Sequence, residues 1–304
     1  MLVAQPGIFA QGARSHQYLE LDLRAGADPD GVRRALASLR EPAVTAGGLN
    51  LVIGLGLDLM RRLARDDTPE ALAPFTPIAG AGGRGAPATP HDLWLWLHGT
   101  GPDVVLDGAV AAAAALAPVV TVASEQPAFV YRDSRDLTGF VDGTENPPVQ
   151  EAPEVALVPA GETGEGGSFV LTMKWVHALA AFHALPVAKQ EAVIGRTKTD
   201  SVELDEGVKQ PSAHISRVVI EEDGEELEIY RRSTPFGTVL ERGLYFVAFS
   251  ADPSRFDKML ARMFGTTGDG LHDRLTEFSR PVSGAYYFAP SLECLDRVFD
   301  ERQS

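Results

Sequence analysis

The sequence predicts an α+β protein of two ferredoxin-like units, because its length suits two domains and one order of elements occurs twice. A chain of 304 residues is long enough for two domains of roughly 100–200 residues each. Hydrophobic residues make up 44% of the chain, so each domain can bury a core. The repeated order is strand, helix, strand, strand, helix, strand, which is the ferredoxin-like pattern βαββαβ.

The first unit is expected over residues 1–126. Alternating or continuous apolar residues mark its strands, and Asp28-Pro29-Asp30 is a start signal for its first helix. A loop rich in glycine, proline and alanine precedes the third strand. The expected strands span residues 16–23, 49–54, 93–98 and 118–124, the helices 32–39, 58–64 and 103–116, and the loop 77–90.

The second unit, over residues 127–304, repeats this order and carries an insertion. The segment 195–226 is extra to the ferredoxin-like plan, and long insertions in compact domains often carry function. We therefore expect the functional site in this half. The expected strands span residues 168–176, 227–231, 244–250 and 282–288, and the helices 178–192, which Pro186 interrupts, and 252–263.

The composition narrows the possible partners. The formal net charge is −15 and no cluster of Lys and Arg occurs, which argues against nucleic acid and anionic membranes as partners. Cys294 is the single cysteine, so the chain can form neither an internal disulfide nor a cysteine-ligated metal cluster. The N-terminus lacks a signal-peptide pattern, and no apolar stretch approaches the ~20 residues that span a bilayer, so we expect a cytoplasmic protein.

Two residues could supply a metal ligand and a proton relay, although each also has an ordinary interpretation. His214 could ligate iron through one ring nitrogen and donate from the other, or it could satisfy a local hydrogen bond. Asp142 stands in a Gly-x-x-Asp-Gly run whose glycines permit close backbone approach to a ligand. It could relay a proton as a general acid–base group, or it could form a turn between domains.

Two further residues could complete such a site. Arg231 and Arg232 would face opposite sides of a strand, so one guanidinium could enter a pocket, or both could form exposed salt bridges. Glu277 lies between apolar residues and could accept the second N–H of an iron-bound imidazole, or it could be an exposed helical carboxylate. A nicotinamide or nucleotide enzyme is disfavoured, because no Gly-x-Gly-x-x-Gly or P-loop motif is present.

In combination, these motifs resemble those of the dye-decolourising peroxidases, and the short loops resemble the B type. The resemblance covers nearly the whole chain, and the Gly-x-x-Asp-Gly run with the four residues that follow it is its most specific part. The motifs in chain order are residues 5–8, 139–147 and 194–198, Ala213-His214, Arg231-x-Ser233-x-Pro235-Phe236-Gly237, Glu277-Phe278-Ser279 and residues 284–290.

The resemblance implies two ferredoxin-like domains whose sheets form a barrel-like antiparallel core with peripheral helices, and one non-covalent b-type haem in the second domain. It makes His214 the iron ligand and Glu277 the hydrogen-bond partner of His214. Asp142 and Arg231 would lie on the opposite, distal side of the haem. The other contacts implied are Arg196 to a haem propionate, and the backbone of Gly143, Thr144 and Glu145 against the haem.

The implied activity is the reduction of hydrogen peroxide through an oxo-ferryl intermediate, with oxidation of a small organic reductant such as a dye or a phenol. B-type enzymes commonly carry Asn where Ser233 stands here, and the shorter serine side chain would alter the distal hydrogen bonds. The alternative is a haem-handling protein with little turnover. It would need His214 but neither Asp142 nor Arg231.

Three further expectations concern assembly and electron transfer. We expect a homo-oligomer. We also expect a free enzyme, because no C-terminal peptide of the kind that loads some B-type relatives into a protein nanocompartment is visible after residue 300. Trp94 and Trp96 should share one strand face, where they could relay electrons, although core packing is the favoured interpretation.

Overall fold

The computed structural model describes residues 3–39 and 48–299, so the C-terminal segment considered above lies outside the described residues. The described strands are β1 Ser15–Leu23, β2 Leu49–Leu55, β3 Ile78–Ala79, β4 Gly85–Ala86, β5 Leu93–Gly99, β6 Val120–Phe129, β7 Ser168–His177, β8 Glu221–Glu222, β9 Glu225–Glu226, β10 Tyr230–Arg231, β11 Thr234–Gly237, β12 Arg242–Ser250, β13 Ser279–Pro281 and β14 Ala285–Ala289. The described α-helices are α1 Pro29–Ala37, α2 Leu57–Leu63, α3 Pro102–Leu116, α4 Ala152–Ala156, α5 Leu179–His183, α6 Val187–Ile194, α7 His214–Val218, α8 Ser254–Phe264 and α9 Leu292–Phe299.

One large antiparallel sheet repeats the ferredoxin-like topology twice. Its main path runs β10-β12-β7-β14-β2-β5-β1-β6, with β11 beside β12 and β13 beside β7. The orders β6-β1-β5-β2 and β14-β7-β12-β10 both place the fourth strand of a unit beside its first, followed by its third and second. The predicted α+β fold of two ferredoxin-like units is therefore confirmed.

The sheet is rolled up but not closed into a barrel. The rings of Tyr18 on β1 and Tyr245 on β12 stack with centroids 4.0 Å apart, although four strands separate β1 from β12 in the sheet order. The strands β6 and β11, which lie at opposite ends, approach each other, and the Tyr18 hydroxyl donates to Oγ1 of Thr234 at 3.0 Å. No hydrogen-bonded ladder joins these two strands in the part of the chain that the structure describes.

The strands divide the core into an aromatic interior and a helix-covered exterior. Side chains alternate between the two faces of a strand, so Trp94 and Trp96 share the inner face with Tyr18, as predicted, and both tryptophans are fully buried. Leu95 and Leu97 point to the outer face, where helices cover the sheet.

Several elements differ from their expected limits for identifiable reasons. The helix expected over 178–192 is divided into α5 and α6 at Pro186, which lacks the N–H that a continuous helix requires. The strand expected over 118–124 continues to Phe129, so the predicted domain boundary between residues 126 and 127 falls within β6. The sequence analysis missed α9. Among the described residues, no helix combines the length and the hydropathy needed to cross a bilayer.

Candidate active site

A large cavity lies between the outer face of the second unit's sheet and the helices that cover it. It contains about 1490 Å³ of empty space, counted out to its open mouth. Most of the residues that line it are apolar, as is usual for sites that bind small molecules and cofactors. The apolar part of its lining includes Leu171, Met173 and Trp175 of β7, Leu244 and Phe246 of β12, and Phe256, Met259, Leu260 and Met263 of α8.

His214 lines this cavity as the first residue of α7. Its Nδ1 lies 2.6 Å from Oδ2 of Asp273, a residue with no exposed surface. The other carboxylate oxygen of Asp273 accepts a hydrogen bond from the N–H of Leu275 at 2.8 Å, which fixes the carboxylate. Because Asp273 occupies Nδ1, Nε2 is the ring nitrogen left to ligate a metal.

Glu277 is not the hydrogen-bond partner of His214, so that expectation was wrong. Its Oε1 lies 3.0 Å from Nε2 of His272 instead. Asp273 immediately precedes a short 3-10 helix, and the N–H of the next residue donates to the carbonyl of Ser212 at 3.0 Å, which holds Asp273 beside α7. Glu277 is at the opposite end of that 3-10 helix, one full turn away.

Asp142 lies in the same cavity wall, on a loop that folds back on itself. Its N–H donates to the carbonyl of Ser134 at 3.1 Å. Gly139 and Gly143 flank it with φ values of 93° and 81°, which favour glycine at both positions. Burial raises the pKa of Asp142, and the charge of Arg231 opposes that rise only in part, so this carboxyl keeps its proton to higher pH than an exposed aspartate.

Arg231 reaches the cavity from β10, and Asn146 joins it to the Asp142 loop. The Asn146 side chain donates to the carbonyl of Arg231 and accepts from its N–H, both at 2.8 Å. Sequence reasoning missed this clamp, although Asn146 belongs to the most specific motif. Arg232 faces the other side of the strand, as predicted, but it turns into the sheet interior, where it donates to the carbonyl of Ile8 at 2.9 Å.

Arg196 and the segment after Asp142 form another part of the wall. Arg196 directly follows Gly195, whose φ of 96° ends α6 and redirects the chain. The guanidinium forms an ion pair with Glu145 and donates to the carbonyl of Ser201 at 2.5 Å. The cavity lining also includes Gly143 and Thr144, so the cofactor contacts expected from sequence gather at one cavity.

Ser233, like Glu277, is absent from the described cavity lining, unlike the other expected site residues. Its hydroxyl oxygen accepts a long hydrogen bond of 3.4 Å from the N–H of Val247 on β12. A direct bond from Ser233 to Asp142 or Arg231 is not present among the described residues.

Two family models together match nearly the whole chain. Residues 5–130 match the model described as Dyp-type peroxidase, N-terminal, and residues 133–294 match the corresponding C-terminal model. This chain belongs to the Dyp-type peroxidase family. It is 38% identical over 275 residues to a dye-decolorizing peroxidase of Rhodococcus erythropolis, covering 89% of this chain and 79% of that protein. A dye-decolorizing peroxidase of Mycobacterium tuberculosis is 37% identical over 82% of this chain and 75% of its own length.

Solved structures show the same fold at full length. A putative Dyp-type peroxidase of Shewanella oneidensis has a TM-score of 0.91 and 34% identity, covering 98% of both chains. A DypB variant of Rhodococcus jostii, solved in complex with heme, has a TM-score of 0.89 and 32% identity, covering 96% of both chains. The prediction of a haem peroxidase from the sequence therefore agrees with the family.

In this Dyp-type peroxidase, the polar residues of the cavity wall that the sequence analysis did not assign to the site include Asp136, His177 and Ser279. They come from a loop, the end of β7 and the start of β13, and they are hydrogen-bonded in series. Of the three, only Ser279 lies in a motif quoted above, and its meeting with His177 depends on the pairing of β13 with β7.

Proposed function

We propose that this chain is a B-type enzyme that binds one non-covalent b-type haem in the cavity and uses it to reduce hydrogen peroxide. The observation that carries this proposal is the meeting of three groups at one cavity: an imidazole fixed by a buried carboxylate, a carboxyl that tends to stay protonated, and a guanidinium. The full-length likeness to the Rhodococcus jostii structures supports the B type.

The residues present fit a haem. The apolar lining suits a porphyrin ring, and His214 offers Nε2 while Asp273 accepts the proton of Nδ1. Arg196 supplies a cation for a propionate, and its Nε is buried with no hydrogen-bond partner among the described residues. The carboxylate of Glu145, now paired with Arg196, would share that cation with a propionate.

When bound, the haem supplies the iron that reacts with peroxide. The buried Asp273 carboxylate makes the His214 imidazole a stronger electron donor and holds its ring in one orientation. In its ionised form Asp142 would take a proton from peroxide, and in its protonated form, which its raised pKa favours, it would return that proton to the departing oxygen. Arg231 lines the same cavity and its charge acts on Asp142, so its guanidinium would stabilise the negative charge that develops on peroxide.

The haem-handling alternative is not favoured. A carrier needs an iron ligand, whereas Asp142 and Arg231 are held together here by the two hydrogen bonds of Asn146. The curated relatives are also peroxidases by name.

Other features remain proposals in the same way. We place the enzyme in the cytoplasm, with a small organic molecule as reductant, and we place the boundary between its two units after the end of β6 rather than between residues 126 and 127. The lone, buried Cys294 is consistent with a reducing compartment. A homo-oligomer is supported by the turn between β11 and β12, where Val239 and Leu240 are 88% and 93% exposed and would gain from a partner.

The test is to reconstitute the protein with haem, record its absorbance spectrum, and add one equivalent of peroxide in a stopped-flow mixer. We expect His214→Ala to lose the Soret band of ligated haem. Asp142→Ala and Arg231→Ala should keep it but react more slowly, by about 10²–10⁴-fold for removal of an acid–base group. Haem that binds but ignores peroxide in the wild type would contradict the proposal, and so would full-rate reaction in both distal variants.

A further inference from the structure

The cavity wall contains a hydrogen-bonded chain that the mechanism above does not use. Oδ1 of Asp136 lies 3.1 Å from Nε2 of His177, and Nδ1 of His177 lies 2.7 Å from Oγ of Ser279. Oδ2 of Asp136 accepts from both the N–H and the hydroxyl of Thr138, at 2.8 and 2.5 Å. Both oxygens of this carboxylate are therefore bonded to donors that favour its ionised form.

Asp136 stays negatively charged in spite of its surroundings. Burial by itself would raise its pKa, but the hydrogen bond and charge of His177 and the two bonds from Thr138 outweigh burial, and the pKa is lowered. A carboxylate held in this way is a fixed negative charge at the cavity wall.

Asp136 and Asp142 belong to one folded loop. The N–H of Asp136 donates to the carbonyl of Phe140 at 2.9 Å, and the N–H of Asp142 donates to the carbonyl of Ser134 at 3.1 Å. These two rungs fix both aspartates on one short hairpin, with both side chains lining the cavity. The charge of Asp136 accordingly raises the pKa of Asp142 further, after the larger effect of burial.

Other charged groups act on the same two carboxyls. Arg231 from β10 and His214 from α7 lower the pKa of Asp142. Around the loop of Asp136, Arg135 donates to the carbonyl of Gly139. Lys198, whose ammonium lies over the ring of Phe140, and His183, whose Nε2 lies 3.3 Å from the carbonyl of Thr138, also contact this loop, and Asp133 pairs with Arg135 at its exposed end. Asp136 is thus the anion that balances Arg231 at Asp142.

We propose that Asp136 and His177 are positioning residues: Asp136, kept ionised by His177 and Thr138, holds the proton on the Asp142 carboxyl over a wider range of pH. This inference rests on the proposed function, because it concerns the proton that Asp142 exchanges with peroxide. The physical cause is the repulsion between two like charges, which disfavours ionisation of the second carboxyl.

The test uses fluoride binding to the haem-loaded ferric protein as a function of pH, which requires no turnover. A bound anion gains from a protonated Asp142 and is repelled by an ionised one, so fluoride affinity should fall as Asp142 loses its proton. Asp142→Asn should abolish this fall. If it does not, the role given to Asp142 in the proposed function fails, whatever Asp136 does.

If Asp142→Asn abolishes the fall in fluoride affinity, that fall reports the ionisation of Asp142. Asp136→Asn should then move the midpoint of the fall to lower pH by about one unit, the size expected for loss of one nearby charge. The matched control is Asp133→Asn, which removes the same charge from an exposed position on the same loop and should leave the midpoint in place. An unchanged midpoint in Asp136→Asn would overturn the inference.

His177→Gln gives a second test in the same direction. Glutamine can donate the same hydrogen bond to Asp136, but it lacks the charge that helps to keep Asp136 ionised. The midpoint should therefore fall, by less than in Asp136→Asn. An unchanged or raised midpoint in His177→Gln would remove His177 from the inference.

Discussion

The two ferredoxin-like units share a topology but differ in what lies between sheet and helices. In the first unit, α3 packs directly on β1 and β5, and buried side chains such as Leu36, Leu97 and Leu116 fill the space. In the second unit, α8 packs on α7, and the space above β7 and β12 is the cavity. The insertion supplies α7, which begins with His214. The second unit thus has a cavity lined by this helix where the first unit has a filled core.

The difference teaches that one fold can supply both a stabilising half and a functional half. A filled interface gains stability from every buried methylene group. An open cavity gives up that gain and leaves apolar side chains that a cofactor can cover. The contrast predicts different responses to the same mutation in the two units.

The largest effect should come from truncating matched leucines. Leu97→Ala in the first unit removes a buried side chain that packs against α3, so it should lower the free energy of unfolding by about 2–5 kcal/mol. Leu244→Ala in the second unit only enlarges an existing cavity and should cost less than half as much. Urea unfolding of the haem-free protein measures both. Equal losses would mean that the cavity wall is packed as tightly as the core.

The aromatic interior, which both units share, should make the protein sensitive to acid. Burial and the charge of Arg232 lower the pKa of His98 to about 3, against a weaker opposing hydrogen bond to Gly7. Since the folded pKa lies below the unfolded value of 6.5, this contribution to stability is present above pH 6.5 and is lost as pH falls towards 3. Urea unfolding at a series of pH values should show a loss of a few kcal/mol across that window.

The variant His98→Phe keeps the stack on Trp96 but cannot titrate, so its loss of stability with acid should be smaller. His272→Phe, at a partly exposed position, is the control and should retain the slope of the wild type. Identical slopes in all three proteins would contradict the explanation.

A smaller effect is expected for the partner of His214. Asp273→Asn removes the charge that orients the imidazole, so haem affinity should fall about 10–100-fold, as for other outer-shell partners of metal ligands. Glu277→Gln is the matched control and should bind haem like the wild type, because Glu277 contacts His272. Haem transfer to an apo-globin measures both affinities. A larger loss for Glu277→Gln would restore the expectation from sequence.

The smallest effect concerns the cost of keeping Asp142 in the cavity. Its folded pKa is raised above the ordinary 3.8, so stability is fully present below that value and is lost as pH rises through the folded pKa. Asp142→Asn cannot ionise and should therefore gain stability over the wild type at about pH 7 but not at about pH 3. Thermal unfolding of the haem-free proteins is the measurement. A gain in stability at the lower pH alone would contradict this explanation.

Local patterns account for most of what could be predicted about the fold. The alternation in β5 placed Trp94 and Trp96 on one face, and Pro186 marked the break between α5 and α6. The missed elements were short or depended on distant partners. The three-residue strand β13 exists through its pairing with β7, which neighbouring residues along the chain do not reveal.

For the candidate site, too, local patterns predicted some residues, whereas others depended on contacts between distant segments. Motif spacing was enough to select His214, Asp142, Arg231 and Arg196, and the structure brings all four to one cavity. It was not enough to choose between two carboxylates four residues apart, because the choice depends on which end of a 3-10 helix faces α7.

The sequence by itself determined the two ferredoxin-like units and the residue types of the site, since strand and helix periods and glycine positions are properties of neighbouring residues. Only the tertiary structure decided that Asp273 holds His214, that Asn146 clamps Arg231, and that His177 meets Asp136. These contacts join segments about 40 to 85 residues apart, and their hydrogen bonds depend on strand pairing and chain reversal that no local pattern encodes.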